Sequence, residues 1–243
     1  MSESAANKLT NYLLDYIDEY QDSTEDYITE QRSLALEAIS FIPKASEKHS
    51  KIYTLMEEYL KSDQQAYNES GLIVAQSVSL GIETIKNHLL KFLENKNFSI
   101  LFNTISALIS SSSVWDNDED CCYFIIDKLD DLFNFGNGEI QDKSLDLLLF
   151  ADPKSCRITE EIIDTLIEML ATKSPRVFEI TQILINIVFN IMKGTLECGI
   201  TLGEFQDKIW ENETYINDAL KGSQIAQEQY QKLAAVLQSG AEY

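Results

Sequence analysis

The chain has 243 residues, 40 of them acidic and 19 basic, for a net charge of −21. Apolar residues make up 44%, enough to build a core and too many for wholesale disorder, and only 9 glycines and 3 prolines argue against a turn-rich β fold. A field of that sign repels phosphates and anionic lipid surfaces, so neither direct nucleic-acid binding nor a membrane is expected, and it attracts basic proteins.

In chain order, Leu9, Tyr12, Leu13, Tyr16, Ile17 and Tyr20 predict an amphipathic helix within 5–30, with a break near Asp22-Ser23-Thr24. Ser23 is placed to cap a second helix, with Asp26 three residues on. Segment 32–42 continues until Pro43 stops it. Ser46–Glu69 reads as one helix, Gly71 as punctuation, and Leu72–Leu93 as a helix rich in small residues. Asn97–Ile109 comes next, closed by the serine run 110–113.

The acidic turn Asp116-Asn117-Asp118-Glu119-Asp120 is a natural helix N-terminus and opens a helix over 121–135. Gly136-Asn137-Gly138 is the clearest turn. A short helix at 139–150, a loop through Pro153 and a helix opened by Thr159 come next. Pro175–Lys193 is the most apolar helix-length stretch, and we expect it at the centre of the core. Its polar residues, Glu179, Gln182, Asn186, Asn190 and Lys193, predict one narrow outward stripe, with Phe178 and Phe189 inside. Ser174 and Pro175 suit its start and Gly194 its end. Thr201–Trp210, Asn212–Leu220 and Ser223–Leu237 complete the chain.

The pattern predicts an all-α fold, a multi-helix bundle in one domain over 1–243, with sub-layers 1–95 and 97–238 as a subdivision. Turns at Asn97, Asn137-Gly138 and Ser174-Pro175 recur about every forty residues with two helices between them. That spacing resembles the helix-pair period of HEAT or armadillo solenoids, although no residue-level motif repeats. Cys121, Cys122, Cys156 and Cys198 lack ligand or disulfide spacing and read as free thiols of a reducing, cytoplasmic compartment. The first residues do not form a recognisable signal peptide.

No catalytic residue, metal ligand or cofactor is expected. His49 and His88 stand alone, no phosphate loop or nucleophile elbow occurs, and Glu161, Asp164 and Glu168 read as a solvated helix face. The run from Asp116 to Asp127 has oxygens at four calcium-loop positions, but Cys121 stands where the turn needs glycine and Asp127 is too short at the last. The chain therefore reads as a non-enzymatic protein that binds a basic partner, as an adaptor, inhibitor, chaperone or immunity-type protein, with nucleic-acid mimicry as a narrower form.

Tyr12, Tyr16 and Tyr20 interleave with Asp15, Asp18, Glu19 and Asp22, an aromatic–carboxylate mixture suited to lysine and arginine. Asp116, Asp118 and Asp120 form a second acidic candidate. Two other readings stay open: acidity as solubility alone, and a soluble pore-forming protein hiding 72–93 and 175–193 as a hairpin.

Overall fold

Side-chain caps decide where several of the helices begin. In the computed structural model, which describes residues 2–42, 50–151, 158–172, 174–195 and 200–240, the Asn97 side chain accepts from the amides of Ser99 and Ile100. Asn137 accepts from Glu139 and Ile140. Thr159 accepts from Ile162, and Thr201 with Glu204 forms a reciprocal capping box. Each satisfies amides that the first helical turn leaves without a partner. The result is an all-α, multi-helix fold, with no strand among the described residues. His49, Cys156, Cys198, Pro43 and the loop through Pro153 lie outside them.

The chain forms two compact units, Met1–Trp115 and Asp116–Tyr243. Their boundary lies in the acidic turn rather than near residue 95.

In the first unit, α1 (Glu3–Glu19) packs on α2 (Asp26–Ser40). Both α2 and α3 (Ser50–Lys61) pack on α4 (Gln65–Ala75), which also meets α6 (Phe98–Ser110). The single helix expected over 46–69 is broken at Ser62–Gln64, where the Ser62 hydroxyl accepts from the Gln64 amide. Gly71 is not punctuation. It is buried inside α4, where an added Cβ would meet Leu60 at 3.1 Å, so it allows α3 and α4 to approach closely.

The helix expected over 72–93 does not form either. After Ala75 the Ser77 hydroxyl bonds back to the Val74 carbonyl and diverts the chain. The chain then runs through a short α5 (Ile82–Thr84), a π turn (Ile85–Leu89) and a 3₁₀ turn (Leu90–Glu94). α7 (Ser112–Trp115) ends the unit with Trp115 fully buried, its indole N–H donating to the Leu108 carbonyl at 2.7 Å.

In the second unit, α8 (Glu119–Phe133) packs on α9 (Gly138–Phe150) and on α10 (Glu160–Ala171). α11 (Val177–Met192) packs on α10 and more extensively on α14 (Gln224–Gly240). α12 (Leu202–Glu211) and α13 (Glu213–Leu220) close against these. α11 carries the core as expected: Ile180, Ile183, Leu184, Ile187 and Val188 are at most 1% exposed. Its outward stripe differs from expectation. Phe178 is 53% and Phe189 41% exposed beside Gln182 and Asn186, while Asn190 is buried, its side chain accepting from the Thr195 hydroxyl. A helix apolar over most of its girth leaves the choice of stripe to its neighbours.

The start of α11 also shifts. Ser174 and Pro175 form a turn ahead of it, the Ser174 hydroxyl accepting from the Arg176 amide. Gly194, with φ of 64°, ends it. Arg176 ties this start to α9, donating to the Asp142 carbonyl at 2.9 Å and pairing with Asp146 at 2.6 Å. No described helix is long and apolar enough to cross a membrane.

Candidate functional site

The first candidate lies on α1. Its 3.6-residue period turns Leu14 and Ile17 into the core and leaves Leu9, Tyr12, Asp15 and Glu19 exposed. Tyr12 is 67% exposed. Asp22, in the turn beyond, is also exposed.

The other members are engaged by partners elsewhere in the first unit, Tyr16 and Tyr20 half-buried and Asp18 at the surface. The Tyr16 hydroxyl donates to Gln31 Oε1 at 2.6 Å, and its ring packs at a tilt against Tyr20 with centroids 4.9 Å apart. Burial, then the neighbouring Tyr20, Tyr27 and Glu19, push the Tyr16 phenol above its ordinary value. Asp18 is ion-paired with Lys51 of α3. So Tyr16, Tyr20 and Asp18 position α1, and Tyr12, Asp15, Glu19 and Asp22 face outward. Sequence spacing could not separate the two sets, because Gln31 and Lys51 lie far along the chain.

The second candidate is the turn into α8. Asp118 caps the helix, Oδ1 accepting from the Cys121 amide at 3.0 Å. Asp116 Oδ1 accepts from the Asn117 amide group at 2.7 Å, and its carbonyl accepts from the Cys122 thiol at 3.5 Å. Cys121 and Cys122 are buried and form no disulfide. Asp120 faces outward and helps line a groove of about 410 Å³ with Tyr123, Phe124, Asp127 and Thr159. The turn thus begins a helix, and no group of three or more metal-binding side chains forms among the described residues.

Tyr123 and Phe124 escaped the sequence reading because they come after two cysteines at the start of an apolar run. The available signal was the recurrence Asp120, Tyr123/Phe124, Asp127 at steps of three and four.

Other titratable groups serve the fold. Lys208 Nζ donates to Asp164 at 2.6 Å and pairs with Glu160 at 2.8 Å, joining α12 to α10. His88 sits half-buried in the π turn, its pKa lowered by burial and then by Lys61. Arg32 is buried, donating to the Gln21 carbonyl and the Tyr67 hydroxyl. Trp210 is 49% exposed.

No protein-family model matches the chain, and no curated protein matches it. Among solved structures it is similar to an engineered protein crystallised as a Northeast Structural Genomics Consortium target. The two are 16% identical, with a TM-score of 0.57, over 99% of this chain and 98% of that one. At that identity the likeness shows the all-α fold alone.

Proposed function

We propose that this chain is a non-enzymatic, cytoplasmic, acidic helical protein that binds a basic protein partner, as an adaptor, inhibitor or immunity-type protein does. The observation that supports this reading is the outward face of α1, where exposed Tyr12 shares one side of the helix with Asp15 and Glu19, with exposed Asp22 in the turn beyond, in a chain of net charge −21. An exposed ring next to carboxylates offers a lysine or arginine both cation–π attraction and an ion pair. The buried thiols of Cys121 and Cys122 suit a reducing compartment. Nucleic-acid mimicry is the narrower form of the proposal, and in it DNA competes for the partner. Helix-pair stacking, expected over 97–193, belongs to the same proposal within the second unit, where α8 packs on α9 and α10 on α11.

The test is capture from nuclease-treated lysate of the native source, comparing the intact chain with a Tyr12→Ala, Asp15→Asn, Glu19→Gln variant. A basic protein held at low salt, released at high salt and lost by the variant supports the reading. Equal retention by the variant, or no specific basic partner, counts against it.

A further inference from the structure

The groove on α8 has a composition that goes beyond an acidic helix start. Asp120, Tyr123, Phe124 and Asp127 fall at i, i+3, i+4 and i+7 and share one face, while Cys122, Ile125 and Ile126 between them are buried. Tyr123 is 47% exposed. The groove therefore has aromatic walls, a carboxylate at each end of the stripe and the cap residue Thr159 at its edge.

A contact within the helix points to a cation. Lys128, on the same helix, lays its ammonium 5.4 Å from the Phe124 centroid and 3.2 Å from the Asp127 carboxylate, so this ring and this acid already receive a positive charge.

We propose that this groove seats a lysine or arginine side chain of the basic partner, its cation against Tyr123 and Phe124 and between Asp120 and Asp127. The assignment rests on the reading of a basic partner and gives it a second contact point, away from α1 in sequence. Lys128 is then an internal competitor for the same ring and carboxylate, so removing it strengthens binding while removing the acids weakens it. A purely structural role for these residues gives no such opposition of sign.

The experiment uses the isotope-labelled full chain, with hexa-lysine and hexa-arginine peptides as probes and hexa-glutamate as control, at low ionic strength so that exposed charges are little screened. The expected result is saturable shifts concentrated on the amides of 118–131 and 159–161. Affinity falls about tenfold in Asp120→Asn/Asp127→Asn and rises about threefold in Lys128→Met. An Asp207→Asn/Glu211→Gln control removes the same charge from α12 and stays within about twofold of the parent. Shifts spread over the whole surface, or equal weakening by the control, overturn the proposal. Saturable binding at α1 that ignores Asp120→Asn/Asp127→Asn removes this groove and leaves the proposed function standing. No saturable binding anywhere removes both.

Discussion

The outward stripe of α11 gives the sharpest test of the packing. Phe178 and Phe189 lie on a helix that is otherwise core, yet they are 53% and 41% exposed. Fully burying a phenylalanine contributes up to about 3 kcal/mol, so roughly half of that is at stake at each position. Alanine restores up to about 0.5 kcal/mol of helix propensity. Phe178→Ala and Phe189→Ala are therefore expected to cost about 1 kcal/mol each. Leu184, on the opposite side, is fully buried, and Leu184→Ala is expected to cost about 2–5 kcal/mol through lost burial and the cavity left behind. Urea unfolding tracked by circular dichroism compares the three variants, with midpoints read at a common slope. A cost above about 3 kcal/mol for either phenylalanine would place it in the core and refute the assigned stripe.

Further expectations concern charge and close packing. Asp130→Asn should stabilise the fold at pH 7. The raised pKa means the ionised form is penalised in the fold, so the gain fades as pH falls through the raised value and is gone below the ordinary carboxylate value of 3.8; stability measured against pH checks this, and a loss at pH 7 contradicts it. Lys208→Met should cost about 1 kcal/mol, a modest figure because Glu160 and Asp164 are about half exposed. Its hydrogen bonds to Asp164 and Glu160 raise the Lys208 pKa, so that contribution holds below the ordinary lysine value and is lost only as pH climbs through the folded one. Arg176→Met should cost about 1–2 kcal/mol, since it removes charge-assisted bonds from α9 to the start of α11; an unchanged urea midpoint would deny it that role. Gly71→Ala should cost about 1–3 kcal/mol by forcing Leu60 away, and a neutral result would mean that α3 and α4 adjust freely.

The legible parts of the sequence were those governed by local chemistry. Asn97, Asn137, Thr159 and Asp118 were readable as helix starts because each side-chain oxygen meets amides two or three residues ahead. The central place of α11 came from composition alone. The hidden parts depend on distant partners. Nothing local distinguishes exposed Phe189 from buried Val188, or buried Asn190 from exposed Asn186, because α10 and α14 make that choice. The interruption after Ala75 arises from hydroxyl competition and a π turn, to which apolar spacing is blind. At the candidate sites, acidity and aromatic content were visible. The division of α1 into unpaired outward Tyr12, Asp15 and Glu19, half-buried Tyr16 and the exposed but ion-paired Asp18 was set by Gln31 and Lys51.

The most direct test of a basic partner is calorimetric titration of the captured protein against the full chain over a range of salt concentrations. An affinity that falls steeply with salt, and falls further when Tyr12, Asp15 and Glu19 are replaced, is the predicted result. An affinity indifferent to salt and to those replacements would contradict the account and leave the net charge of −21 as a matter of solubility.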